Sequence, residues 1–242
     1  MASLKTKIEE LKNKTKGFSA QEIIKFVARE FDGRINFATS LGEEDQVILD
    51  MISKVAPSIE VFTLDTGRLF SETYDLMANN QKKYKVNFKI YYPDTKSVEE
   101  MVKARGINLF YESVENRKTC CGIRKVEPFK RAVANVDAWV SGLRREQSVT
   151  RSDLGVFEWD EANQKIKVSP LIDWTLEEVR KYIQENKVEV NSLHAKGFVS
   201  IGCSPCTRAI KPGEDIRAGR WWWENPEQKE CGLHNNPNRH KK

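Results

Sequence analysis

The sequence predicts an α/β fold, doubly wound around a mainly parallel sheet. Three observations carry this expectation. Short apolar, β-rich runs alternate with stretches of helical period, and turns rich in Gly, Asp and Thr separate them. The 242 residues, 39% of them hydrophobic, suffice for one sizeable core without disulfides.

In chain order, a charged first helix stops at Gly17. "SAQEIIKFVAREF" then opens a second helix with a capping box, Ser19 and Glu22 each supplying an acceptor for the other's backbone N–H. "INFATS" (Ile35 to Ser40) reads as a buried strand, and "LGEEDQVILDMISKV" has helical spacing at Val47, Ile48, Met51 and Ile52. The alternation repeats as "IEVFTL", "GRLFSETYDLMANNQKKY", "NFKIYY" and "SVEEMVKARG". A helix from about Cys120 to Ala134 precedes a strand at "AWVSGL" (Ala138 to Leu143). "VFEW" and "KIKVSP" form a hairpin around "DEANQ", and a second capping box, Thr175 with Glu178, starts "LEEVRKYIQENK". Strands and helices alternating at this spacing make βαβ units, with helices on both faces of a parallel sheet. Beyond Lys187 the period dissolves into an irregular segment rich in Gly, Pro and charge.

The N-terminal stretch mixes Lys and Glu without an apolar core, and no stretch reaches the roughly 18 apolar residues of a membrane span. A cytoplasmic protein without membrane association is expected. The net charge of +5 does not by itself point to nucleic acid, and none is expected as a partner. The charge is concentrated, however: "RKTCCGIRKVEPFKR" (Arg117 to Arg131) carries six basic residues against one acidic, a patch suited to a small anion.

In open α/β sheets, ligands lie at the carboxyl ends of strands, where helix N-termini offer backbone N–H groups to anions. "TSLGEED" (Thr39 to Asp45) is such a turn, with Ser40 and Gly42 suited to gripping an oxyanion. Its acids would equally complement a helix dipole. "LDTGRLF" ends the second strand with Leu64, Asp65, Thr66 and Gly67, and "SGLRREQSVTR" ends a later one with Gly142, Arg144 and Arg145. Three strand-end turns, one bearing adjacent arginines, converge on a nucleotide with an acidic head group.

Four of the five cysteines are paired: Cys120 with Cys121, and Cys203 with Cys206 in a C-x-x-C, the pairs separated by 203 − 121 = 82 residues. In a reducing compartment such thiols stay free for metal or chemistry. Four thiolates can close a zinc site or hold a four-iron cubane. Adjacent cysteines give a narrow bite on one zinc and suit the separate irons of a cluster better. Two inert buried thiols beside a chance C-x-x-C remain an alternative. Arg124, Lys125, Arg208, Arg217 and Arg220 lie near these pairs in sequence, with Lys125 four residues after Cys121.

Taken together, "TSLGEED", "LDTGRLF", "CCGIRKVEP", "GCSPCTRAI", "DIRAGRWWWE" and "KECGLH" resemble the assimilatory adenylyl sulfate reductases, sister to the phosphoadenylyl sulfate reductases. The likeness runs from about Ile35 to His234. It implies a fold of the adenine-nucleotide α-hydrolase, ATP pyrophosphatase-like type. Related ATP pyrophosphatases carry S-G-G-x-D-S where "TSLGEED" stands; Leu41 replaces the first glycine, which argues against ATP hydrolysis.

The resemblance further implies one [4Fe–4S] cluster per chain on Cys120, Cys121, Cys203 and Cys206. It implies Cys231 as the nucleophile, and thioredoxin-dependent reduction of adenylyl sulfate to sulfite and AMP through an S-sulfocysteine. Ser40, Gly42, Leu64, Asp65, Thr66, Gly67, Lys125, Gly142, Arg144, Arg145, Arg217 and Arg220 are the expected substrate residues. Residues 1–210 would form the nucleotide-binding and iron–sulfur domain, and 211–242 a mobile segment carrying Cys231. Trp221 to Trp223 would close over the nucleotide, dock the tail, or simply pack. The 3′-phosphorylated nucleotide, alone or alongside adenylyl sulfate, is the alternative substrate; an ATP pyrophosphatase-type enzyme and a zinc-stapled binding module are the more distant readings. A homo-oligomer is left open.

Overall fold

The computed structural model describes residues 4–147 and 154–225. The chain divides into two compact units. The first is Met1–Thr63, Asp75–Lys89 and Val133–Asn191, and the second is Leu64–Tyr74, Ile90–Ala132 and Ser192–Lys242. The expected boundary at residue 210 falls inside the second unit.

The elements run α1 (Lys7–Lys14), α2 (Ala20–Glu30), β1 (Ile35–Thr39), α3 (Glu43–Val55), β2 (Glu60–Leu64), α4 (Ser71–Tyr84), β3 (Lys89–Tyr91) and α5 (Thr95–Arg105). They continue as α6 (Val114–Cys121), a π-helical turn (Gly122–Val126), α7 (Glu127–Val133), β4 (Ala138–Val140), β5 (Phe157–Asp160), β6 (Lys165–Val168) and α8 (Leu176–Glu185). The strands form one six-stranded sheet in the order β3-β2-β1-β4-β6-β5. β1 pairs parallel to β2 and β4, β4 pairs parallel to β6, and β5 and β6 form an antiparallel hairpin. This is the mainly parallel, doubly wound sheet that the alternation predicts.

In the first unit, β1 and β4 read as apolar runs because both faces of a parallel sheet are covered. Phe37, Val140, Ile166 and Val168 are buried, as are Val47, Ile48, Met51 and Ile52 of α3. Both expected capping boxes form: the side chains of Ser19 and Thr175 accept the N–H of Glu22 and Glu178, whose carboxylates return the bond. α2 and α8 pack on α3. Tyr182 of α8 donates to Asp50 Oδ2 of α3 at 2.8 Å, and Lys54 joins the same carboxylate at 2.6 Å.

The second unit is built of helices and turns around Met101, Leu109, Phe110, Cys120, Cys206 and Trp221. The helix expected from Cys120 begins earlier, at Val114, capped by Ser113, whose Oγ accepts Asn116 N–H at 3.1 Å. "VENRKT" offers no apolar stripe because its inward residue, Arg117, is charged and is buried by an ion pair. Past Cys121 the helix widens into the π-turn that carries Arg124 and Lys125, a feature common where a helix serves a site.

Candidate functional site

The candidate residues divide between the units: Ser40, Gly42, Gly142, Arg144 and Arg145 in the first, and Leu64 to Gly67, Lys125, Arg217, Arg220 and the paired cysteines in the second.

In the first unit, Gly42 caps α3, with its carbonyl accepting from Gln46 N–H at 2.9 Å. Leu41 is buried at φ 62°, in the left-handed region that a side chain enters only at a cost. Ser40 N–H and Oγ both donate to Asp45 Oδ2, at 2.6 and 2.7 Å. Its oxyanion-binding donors are therefore already partnered. Burial is the main force pushing Asp45 up to about 6, offset by the bonds from Ser40 and raised again by Glu44. The adjacent arginines are also held by carboxylates. Arg144 is buried and donates from Nε to Glu44 at 2.8 Å, while Arg145 pairs with Asp173 and donates to the Leu154 carbonyl.

In the second unit, the "LDTG" turn is fastened to the cysteines. Asp65 accepts Gly67 N–H at 2.8 Å and the Tyr74 hydroxyl at 2.9 Å; burial first, then the Asp65 carboxylate, pushes Tyr74 up to about 12. Thr66 Oγ1 lies 3.2 Å from Cys203 Sγ, and the Thr66 carbonyl accepts Arg124 Nη1 at 2.7 Å. Ser204 N–H donates to the Arg68 carbonyl at 2.8 Å.

Cys120 and Cys206 are buried in one apolar group, with Cys121 and Cys203 packed against it. Burial raises Cys206 far above an ordinary thiol, and the neighbouring Cys203 and Cys121 raise it further, with Arg220 opposing. Burial likewise raises Cys120, against the attraction of Arg124.

The chain following the C-x-x-C folds back along it: Thr207 bridges to Arg220, Arg208 N–H donates to the Gly219 carbonyl, and Trp221 N–H to the Cys206 carbonyl, both at 3.0 Å. Trp221 is buried between two guanidinium groups, with Arg117 4.7 Å and Arg220 4.8 Å from its ring centre. Arg117 in turn grips Glu224 through Nε and Nη2, at 2.9 and 2.8 Å. Of the three expected roles for the tryptophans, packing describes Trp221, and Trp223 stacks edgewise on Tyr111 at 4.5 Å. Cys231 lies outside the described residues.

Residues 34–209 match the profile of the phosphoadenosine phosphosulfate reductase domain. The chain belongs to the phosphoadenosine phosphosulfate reductase family. A relative named adenosine 5′-phosphosulfate reductase, from Allochromatium vinosum, is 50% identical over 91% of this chain and 86% of its own length. Among solved structures, a phosphoadenylyl-sulfate reductase from Candida auris, in a phosphate complex, has 32% identity and a TM-score of 0.72, covering 84% of this chain and 96% of that one. The FMN adenylyltransferase of Candida glabrata shares the fold alone, at 16% identity and a TM-score of 0.54, with 95% of this chain and 76% of that one covered.

Within the family frame, the motif reading did not single out two groups. Arg117, three residues before Cys120, has no sequence sign of its partner Glu224, which lies 107 residues away. Asp45 is among the acids expected to complement the helix dipole; a carboxylate five residues after Ser40 at a helix start is the available signal for its bonds to Ser40.

Proposed function

We propose that this protein reduces adenylyl sulfate to sulfite and AMP, with thioredoxin as the reductant and Cys231 as the nucleophile. The observation that carries this reading is the packing of Cys121 and Cys203 against the apolar group that buries Cys120 and Cys206, in a chain whose relatives are named adenosine 5′-phosphosulfate reductase.

The donor set fits an iron–sulfur cluster. Four soft thiols lie together in an apolar shell, and burial with mutual repulsion holds Cys206 protonated until a cation compensates it. Cys120, Cys121, Cys203 and Cys206 would hold a [4Fe–4S] cluster. Bound there, it would supply fixed charge and cross-linking beside the basic residues, with the reducing electrons coming from thiols.

The chain's own residues do the following. Cys231, as thiolate, attacks the sulfur of the sulfuryl group; the bond from that sulfur to the phosphate oxygen breaks, and AMP departs with the electron pair. Lys125, Arg217 and Arg220 neutralise the sulfate and phosphate oxygens and offset the repulsion between thiolate and anion. One thiolate of thioredoxin then attacks the Cys231 sulfur and sulfite leaves with the bonding pair. The second thioredoxin thiol resolves the mixed disulfide, freeing Cys231 and oxidising thioredoxin by two electrons. The strand-end turns at Ser40, Gly42, Leu64 to Gly67, Gly142, Arg144 and Arg145 are assigned to the nucleotide.

The test is turnover of anaerobically purified protein on adenylyl sulfate and on its 3′-phosphorylated form, with reduced thioredoxin, for wild type and Cys231→Ser. Sulfite should form from adenylyl sulfate and cease in the variant while AMP still binds. Retained turnover in the variant removes Cys231 from the mechanism; preference for the 3′-phosphorylated form reassigns the substrate. The protein should be brown, with about four irons per chain.

A further inference from the structure

We propose that Asp45 is a positioning residue for the nucleotide: its carboxylate holds the turn after β1 and the turn after β4 in one arrangement, so that the phosphates meet a preformed surface. This rests on the reading of the chain as a sulfonucleotide reductase.

The geometry is specific to both turns. On one side, Asp45 Oδ2 takes both donors of Ser40. On the other, the Gly142 backbone lies so close that a Cβ built there would fall 2.2 Å from Asp45 Oδ1 and 3.1 Å from Glu44 Cβ. Only glycine permits that approach. The neighbouring Glu44 binds Arg144, two residues beyond Gly142, at 2.8 Å. Two consecutive acids at the start of α3 thus grip the β4 turn twice, Asp45 at its backbone and Glu44 at its arginine.

A complement to the helix dipole would sit in solvent. Asp45 instead is buried, and the seat costs it solvation that Ser40 only partly returns. The charged groups near it are Glu44 on α3 and Arg144 from the β4 turn, which Glu44 binds; Glu43, at the start of the same helix, pairs with Arg180 of α8 at 3.5 Å. Ser40 therefore serves the nucleotide through the shape of its turn. Protonating Asp45 removes an acceptor from the pair of Ser40 bonds and loosens the β1 turn.

The experiment uses the full-length, cluster-loaded protein under anaerobic conditions. It measures KM and kcat for adenylyl sulfate, and the Kd of AMP by calorimetry, between about pH 5 and 8, for wild type, Asp45→Asn and Gly142→Ala. Asp45→Asn should raise KM and the AMP Kd about tenfold while kcat stays within about threefold, the pattern of lost uniform binding. In wild type the AMP Kd should climb as pH falls through the range around 6, and that climb should flatten in the Asn variant. Gly142→Ala attacks the same link from the other turn and should weaken AMP binding in the same sense. An Asn variant with wild-type AMP affinity and an unchanged pH profile overturns the proposal. If that variant fails to fold, unchanged AMP affinity in Gly142→Ala overturns it. Absence of turnover on either nucleotide in wild type would instead sink the assigned reaction, leaving the AMP arm to judge Asp45.

Discussion

Replacing Arg117 by Met tests the strongest energetic statement the second unit makes. The Arg117–Glu224 pair is almost wholly buried, with side-chain exposures of 2% and 3%, and is bidentate. Removing the cation leaves the Glu224 carboxylate in an apolar seat, and breaking a buried pair from one side costs about 3–5 kcal/mol. The lost stacking on Trp221, at 4.7 Å, adds about 1 kcal/mol. For a chain of this size each kcal/mol moves the midpoint by about 2–4 °C, so Tm should fall by roughly 8–24 °C. Urea unfolding followed by tryptophan fluorescence, with a thermal scan alongside, gives the measurement. The double variant Arg117→Met with Glu224→Met removes both charges and should recover most of the loss. A single variant within about 1 kcal/mol of wild type, or a double variant no better than the single, would refute the argument that the uncompensated carboxylate dominates.

Two further outcomes follow from the geometry. Asp45 has a folded pKa of about 6 against an ordinary 3.8, so the folded chain binds its proton more tightly than the unfolded chain does. Its contribution is most favourable below the unfolded value and is lost as pH rises through that window, by about 3 kcal/mol at 1.36 kcal/mol per unit. The unfolding free energy of Asp45→Asn relative to wild type should therefore rise by up to that amount between about pH 4 and pH 7; a flat difference would contradict the buried seat. Gly202→Ala places a Cβ 2.5 Å from Arg220 Nη2, the mobile end of a side chain. Arg220 should leave Trp221 with under about 1 kcal/mol of lost stability, while kcat/KM for adenylyl sulfate falls at least tenfold with iron content unchanged; unaltered turnover would remove Arg220 from the site.

Much of the fold was legible because it rests on local rules. The helices around Val47 to Ile52 and from Leu176 declare themselves by period and cap, and β1 by an apolar run buried on both faces. The start of α6 was not legible, since a helix whose buried residue is Arg117 shows no apolar stripe and its partner is supplied from the far end of the chain. The site divides in the same way. Cysteine spacing named four thiols, and the structure packs those four together. The turn at Ser40 read as an oxyanion grip, whereas the structure commits its donors to Asp45, five residues along the chain. Arg144 and Arg145 read as free cations; their carboxylate partners Glu44 and Asp173 lie 100 and 28 residues away, beyond any local pattern.

The spacing of the two cysteine pairs also sets a timetable. Cys120 and Cys121 leave the ribosome 82 residues ahead of Cys203, an interval on the order of ten seconds at about 5–20 residues per second. During that interval half of the thiol group is made and its partner pair, together with the Trp221 and Glu224 that seal α6, does not yet exist. A cofactor carried by all four sulfurs, as proposed above, would therefore be a late arrival, added to a chain that is nearly complete, with the early pair kept reduced until then. On that proposal, oxygen exposure during synthesis should lower the yield of the loaded form.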